Sequence, residues 1–311
     1  MYAIVAESLV KTYGGVPALD GVSFEVDRGE VFGFLGPNGA GKTTTIKILT
    51  TLIKPTAGRA EVLGCDIYRM GHEIRRRIGV VQQQESYELN LSVEKALDLY
   101  GFIWGVPRSR RRELVDELLI RFGLSEVRKV KAGDLSIGMR RRLQVAREFM
   151  HDMELLFLDE PTIGLDPIVR RQTLDFIKSK AREGLTIFFT THILEEAEYL
   201  CDRIAMINRG RIVVVDTPDN LKREFGKIRK VEMRAKHSIP DDFIMRLMAD
   251  SSFDRVSRID PQTVSVICST PGEAIAQMLR LADKFRLEIV SIYAAEPTLE
   301  DVFIGIITSD A

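Results

Sequence analysis

The stretch Val31-Phe-Gly-Phe-Leu35, followed by Gly36-Pro37-Asn38-Gly39-Ala40-Gly41-Lys42-Thr43-Thr44, decides how the rest of the chain is read. Its first five residues predict a buried strand. The run after them is a GxxxxGK pattern closed by threonine, in the strand–loop–helix context that this pattern requires. Glycines let successive main-chain N–H groups turn inward on phosphate oxygens without a Cβ in the way, and the helix that follows presents its positive end. Lys42 adds a point charge for the β- and γ-phosphates, and the Thr43 hydroxyl is a ligand for Mg²⁺. Every residue from Gly36 to Thr44 is therefore a candidate for a phosphate cradle. Ile46, Leu49 and Ile53, at i, i+3 and i+7, are expected to seat the helix.

Further along, Leu155-Leu-Phe-Leu-Asp159-Glu160-Pro161 reads as a buried strand ending in two carboxylates. Ligands of doubly wound sheets sit beyond the carboxyl ends of the strands, which is where both acids fall. Successive side chains of a strand point opposite ways, so the two are given different work. Asp159 suits Mg²⁺, through a water. Glu160, expected to be held extended by Pro161, suits orienting a water on the γ-phosphate. His192, just after the run Leu185–Thr191, ends another core strand and can reach the γ-phosphate or Glu160. A second anion site is suggested by Ser136 and Gly138. Ser136 is placed to cap the helix predicted over Met139–Met150, leaving N–H groups and a hydroxyl at its end.

Composition narrows the class. The chain has 311 residues, 44 Lys and Arg against 45 Asp and Glu, and a net charge of −1, which argues against a protein built to neutralise a nucleic-acid backbone. Hydrophobic residues at 45% and charged residues at 29% predict a folded globular chain. No run approaches the roughly 18 apolar residues of a membrane span, and no basic leader precedes Ala3–Ala6. Cys65, Cys201 and Cys268 lack CxxC spacing and are expected to be buried thiols. The expectation is a soluble, cytoplasmic protein.

Two regions are expected. Residues 1–226 alternate strands and helices as an α/β domain, with strands at Val31–Leu35, Ile78–Val81, Leu155–Leu158, Thr186–Thr190 and Ile204–Ile207. All but the last of these are unbroken enough to be covered on both faces. Within this region about residues 90–150 form a helical insertion, with helices at Val93–Phe102, Arg110–Arg121 and Met139–Met150. Residues 227–311 predict a small α+β domain in βαββαβ order, the split ferredoxin-like arrangement, ending in an amphipathic segment over Leu299–Ile307. Three arginine triplets, Arg75–Arg77, Arg110–Arg112 and Arg140–Arg142, read as solvated helix faces or as contacts to lipid headgroups or an acidic partner loop.

Taken together, these motifs resemble the ATP-binding subunit of ATP-binding cassette (ABC) transporters over about the first two-thirds of the chain. The resemblance implies a P-loop NTPase cassette with a helical subdomain, ATP and Mg²⁺ as ligands, and ATP hydrolysis coupled to transport. Ser136 and Gly138 match the signature motif that reaches the γ-phosphate held by a second subunit, with Ile137 and Met139 replacing a glycine and a glutamine. Tyr13 matches the aromatic that stacks on adenine. Gln83, in the run Gln82-Gln83-Gln84, matches the glutamine that senses Mg²⁺ and faces the permease. Asp166 matches the loop at the dimer interface, and His192 the switch histidine. The resemblance further implies a membrane-spanning permease, a second nucleotide-binding subunit as partner, and a place at the inner face of the membrane. The segment Pro297-Thr-Leu-Glu-Asp-Val-Phe303 resembles the tail of drug- and lipid-type export ATPases. An import ATPase and a soluble cassette protein acting on ribosomes or nucleic acid are the rival readings. A GTPase is disfavoured by the lack of an NKxD motif.

Overall fold

The computed structural model describes residues 1–84, 88–225, 229–295 and 298–303, in two compact units, Met1–Pro218 and Asp219–Ala311. Gly226, Pro297 and residues 304–307 of the expected tail helix lie outside the described residues.

The first unit begins with β1 (Tyr2–Tyr13), β2 (Val16–Asp27), β3 (Val31–Leu35), α1 (Lys42–Leu49), β4 (Ala57–Val62) and β5 (Cys65–Asp66). Next come α2 (Gly71–Arg77), β6 (Ile78–Val81), α3 (Val93–Ile103), α4 (Arg108–Arg121) and α5 (Ile137–Glu148). It closes with β7 (Leu155–Asp159), α6 (Pro167–Arg182), β8 (Thr186–Thr191), α7 (Leu194–Leu200), β9 (Arg203–Asn208) and β10 (Arg211–Asp216). The main sheet has the order β10-β9-β3-β8-β7-β6 and is parallel except at its β9–β10 edge. Residues of β3, β7 and β8 are buried throughout, as strands covered on both faces must be. Residues 204–207 are equally buried, so the strand expected to differ from the others does not.

Before this sheet stands one that the alternating α/β reading did not contain. Strands β2-β1-β4-β5 form an antiparallel sheet, opened by a hairpin of two twelve-residue strands. The turn is Gly14-Gly15, with φ of 54° and 87°, the left-handed backbone that tight hairpins need. The main core lies between the two sheets. Phe24 from β2 meets Phe32, Phe34 and Phe188 at centroid distances of 5.4–5.8 Å, and Phe157 closes on Phe188 at 5.6 Å. Burying each ring contributes roughly 1.5–3 kcal/mol, so the hairpin is fastened to the strand that carries the phosphate loop. Helix α1 ends at Leu49, one turn short of Ile53, which packs against the same core from the loop beyond.

After α8 (Pro218–Phe225), the second unit comprises β11 (Arg229–Ala235), α9 (Asp241–Met248), β12 (Arg255–Asp260), β13 (Thr263–Cys268), α10 (Pro271–Lys284) and β14 (Ile289–Ala295). Its sheet, β12-β13-β11-β14, is wholly antiparallel and sets the first and third strands side by side at the centre, the split βαββαβ pattern. Its core joins Val231, Met233, Val264 and Val266 of the sheet to Phe243 and Met278 of the helices. All three thiols, Cys65, Cys201 and Cys268, are free and buried.

One buried histidine in the first unit makes stability depend on pH. Trp104, the sole tryptophan, stacks on His151 with ring centroids 3.9 Å apart. His151 Nδ1 donates to the Asp152 carbonyl at 2.9 Å, while Nε2 is buried with no partner among the described residues. Burial pushes this imidazole below the ordinary histidine value. The native state therefore binds fewer protons at this site than the unfolded chain, and its stability falls as pH drops below about 6.5. Thermal unfolding midpoints should decline between about pH 7 and pH 5, and His151→Phe, which keeps a ring under Trp104, should flatten the slope. An unchanged slope in the variant would remove His151 as its source.

Candidate active site

The phosphate loop is shaped by what surrounds it. A Cβ on Gly36 would lie 2.3 Å from the Ile207 carbonyl oxygen, and one on Gly41 would lie 2.7 Å from the Ala18 oxygen. Gly41, with φ of 113°, is also the residue that starts α1. These glycines thus let β3 and α1 nest against β9 and β2 while the loop curls between them.

Lys42 is only 6% exposed. Its Nζ donates to the carbonyls of Gly36 and Pro37 at 2.7 and 3.2 Å and lies 3.8 Å from Glu160 Oε1. Burial lowers the affinity of this ammonium for its proton, against the opposing pull of Glu160 and Asp159. Thr43 Oγ1 donates to Asp159 Oδ2 at 2.9 Å, and Thr190 Oγ1 donates to Asp159 Oδ1 at 2.7 Å. Both carboxylates are buried, and His192 Nδ1 stands 3.1 Å from Glu160 Oε2. The His192 side chain is half exposed. The structure therefore brings Lys42, Thr43, Asp159, Glu160 and His192 together at the carboxyl ends of β3, β7 and β8.

Glu160 differs from its expected conformation. It is not extended: its φ is 50°, the left-handed region, immediately before Pro161. Such a backbone at a residue other than glycine costs on the order of 1–3 kcal/mol and needs surroundings that enforce it. Here the Glu160 N–H donates to the Thr190 carbonyl and hydroxyl at 3.0 and 3.2 Å. The Arg141 guanidinium takes the carbonyls of Asp159, Glu160 and Pro161 at 2.7, 2.7 and 3.1 Å. The Arg140–Arg142 triplet is accordingly not a solvated face. Consecutive helical residues point about 100° apart; Arg141 is buried, and Arg142 donates to the Phe122 carbonyl at 2.7 Å. The sequence marks Arg141 only as one of a charged triplet, and Glu196 not at all. Buried Glu196 accepts from Thr162 and Thr191, at 2.7 and 2.8 Å, on either side of the site.

Other expected residues are placed as follows. Gln82, Gln83 and Gln84 all line a cavity of about 130 Å³ with Thr43 and Asp159, so any of the three stands near the pair. Ser136 caps α5, its Oγ accepting from the Met139 N–H at 3.3 Å. The position of a Cβ on Gly138 lies 3.2 Å from the Gly164 oxygen, which sets the start of α5 against the loop leading to Asp166. The Asp166 carboxylate caps α6, accepting from Ile168 and Val169. Tyr13 closes β1 with its ring half exposed and Lys11 Nζ 5.2 Å from its centroid.

The donor set is oxygen-rich and hard: one hydroxyl, one carboxylate and neighbouring amide oxygens, the chemistry that suits Mg²⁺. Among the described residues no group of three or more His, Cys, Asp or Glu could hold a metal ion by itself. A phosphate cradle with a buried lysine, a Thr–Asp pair and a carboxylate–histidine pair defines a nucleoside-triphosphate hydrolase of the P-loop class.

Comparison with known proteins narrows this class. A family profile described as ABC transporter matches residues 19–163. The daunorubicin resistance ATP-binding protein DrrA3 of Streptomyces coeruleorubidus is 37% identical over 309 residues, 99% of this chain and 96% of that one. The daunorubicin/doxorubicin resistance ATP-binding protein DrrA of Streptomyces peucetius is 36% identical over 305 residues, covering 98% and 92%. A bacterial ABC transporter cassette solved as a dimer, MJ0796, superposes with a TM-score of 0.65 at 26% identity, over 69% of this chain and 98% of that one. The chain belongs to the ABC transporter family of ATP-binding proteins, and it is an ATPase.

The glycine packing yields a direct test. Gly36→Ala should cost on the order of 1–3 kcal/mol of stability, because backbone rather than a flexible side chain blocks the methyl group. It should also weaken binding of a fluorescent ATP analogue at least tenfold. Wild-type affinity at an unchanged melting temperature would contradict the packing argument.

Proposed function

We propose that this chain is the cytoplasmic ATPase subunit of an exporter of drug-like, lipid or other small compounds, and that it works as one of two cassettes beside a separate permease. The observation that carries the reading is the position of Glu160, its carboxylate held between Lys42 and His192 next to the Thr43–Asp159 pair. The names of the relatives support the export assignment.

In this mechanism the loop amides and Lys42 bind the β- and γ-phosphates, and Tyr13 stacks on adenine. Thr43, Asp159 and Gln83 would hold Mg²⁺, which when bound neutralises charge on the phosphate oxygens. Glu160 orients the attacking water and takes its proton, and His192 fixes the Glu160 carboxylate through Nδ1. Ser136 and Gly138 of one cassette contact the γ-phosphate held by the other, with Asp166 at the shared interface. Exposed Ile137 and Ile168, 62% and 72% accessible beside these residues, support a surface that is covered in the working assembly.

The permease is assigned to a groove of about 360 Å³ lined by Leu99, Tyr100, Ile103, Leu143 and Arg147, in the helical part near residues 90–150. Among the described residues no helix is long and apolar enough to cross a membrane, so the translocation path is left to that partner. Residues 1–226 serve as the nucleotide-binding domain and 227–311 as an accessory domain.

Replacing Glu160 with Gln keeps the shape and removes the base. Glu160→Gln should bind ATP with affinity near wild type, lose at least a hundredfold in turnover, and elute as a dimer when gel-filtered with ATP. Full turnover in this variant, or a monomer at saturating ATP, would overturn the assignment.

A further inference from the structure

We propose that Arg141 is a positioning residue for ATP hydrolysis, which holds Glu160 in its left-handed turn and ties it to the glutamine loop. The proposal rests on Glu160 being the group that orients water. Arg141 is 7% exposed and its guanidinium makes contacts in two directions. Nε and Nη2 take three consecutive carbonyls, those of Asp159, Glu160 and Pro161. Nη1 takes the Gln82 carbonyl at 2.6 Å and the Gln144 side-chain oxygen at 2.7 Å. Gln144, one turn along α5, reinforces the second direction, its Nε2 donating to the Gln82 and Gln84 carbonyls at 3.0 and 2.9 Å.

Three successive carbonyls cannot face one group in an extended strand, where neighbouring carbonyls alternate sides. The φ of 50° at Glu160 is what swings them onto the same guanidinium. Conversely, a planar fork of five donors is needed to hold that turn from one side while holding Gln82 from the other. Lysine, with a compact ammonium, can satisfy one direction only. Arg141 lies on the same helix that Ser136 caps, five residues on. Movement of the Ser136 end of α5 is therefore felt, through one side chain, at both the carboxylate that orients water and the loop that carries Gln83.

A double-mutant cycle tests this. Arg141→Lys should lower kcat at least tenfold, while the dissociation constant of a fluorescent ATP analogue stays within about threefold of wild type. Added to Glu160→Gln, the same substitution should cost no more than about twofold in single-turnover rate, because the group it positions is already gone. Low-millimolar guanidinium chloride should restore activity to Arg141→Ala severalfold, and methylammonium should not. If Arg141→Ala does not fold, Gln144→Leu supplies the second variant, removing one brace of the guanidinium and giving a smaller loss confined to kcat. Unchanged kcat in Arg141→Lys, or a full tenfold loss on the Glu160→Gln background, overturns the role of Arg141. Full turnover in Glu160→Gln alone would instead overturn the reading beneath it.

Discussion

Lys42 carries its charge where it is only 6% exposed, and an isolated ammonium there would cost several kcal/mol in lost hydration. Two sets of oxygens offset that cost: the carbonyls of Gly36 and Pro37, and the buried carboxylates of Glu160 and Asp159. Each carboxylate is in turn tied elsewhere, Asp159 to Thr43 and Thr190 and Glu160 to His192. Phosphate oxygens entering the loop compete for the same ammonium that faces Glu160. An anion that enters the loop is therefore coupled by charge to the Glu160 carboxylate. The distances are short enough, and the site dry enough, for that coupling to be strong.

What fixes these groups in space is the pressing together of two sheets. The antiparallel sheet delivers Ala18 and Leu19 against Gly41, and β9 delivers Ile207 against Gly36. The phenylalanine cluster around Phe188 then locks β2 to β3. The cradle is thus shaped from outside, by elements far from it in sequence. Gly36 is needed for the space that a methyl group would take, Gly39 for its φ of 81°, and Gly41, with φ of 113°, for both.

Much of this was legible beforehand because the decisive patterns are local. A GxxxxGK run behind an apolar strand, a strand ending in Asp-Glu, and a histidine after Thr-Thr each report a position within a few residues. The βαββαβ order of the second unit followed from alternating apolar runs and two amphipathic helices. The opening hairpin was missed although Gly14-Gly15 between two alternating segments marks it, because long, bulged strands blur a period of two. The left-handed Glu160 was illegible for a different reason. A residue before proline is biased toward extended backbone, and only a tertiary contact overrides that bias. Arg141 belongs to the same class: it binds main-chain carbonyls, which any sequence supplies, so no partner residue type betrays it.

A carbonyl-binding arginine also explains how one helix can serve two tasks. Ser136 at the start of α5 has its hydroxyl on the Met139 N–H. At the far end, Glu148 is buried and accepts from the Val80 N–H at 3.1 Å and the Tyr100 hydroxyl at 2.8 Å. Between these ends Arg141 and Gln144 grip the loops after β6 and β7. A rigid rod held at three points along its length cannot shift at one end without loading the other two. Tyr100 lines a groove and donates to Glu148, so that groove is tied to the far end of α5. The helical insertion is therefore tied through α5 to the loop that follows β6, at a distance in sequence from the phenylalanine core.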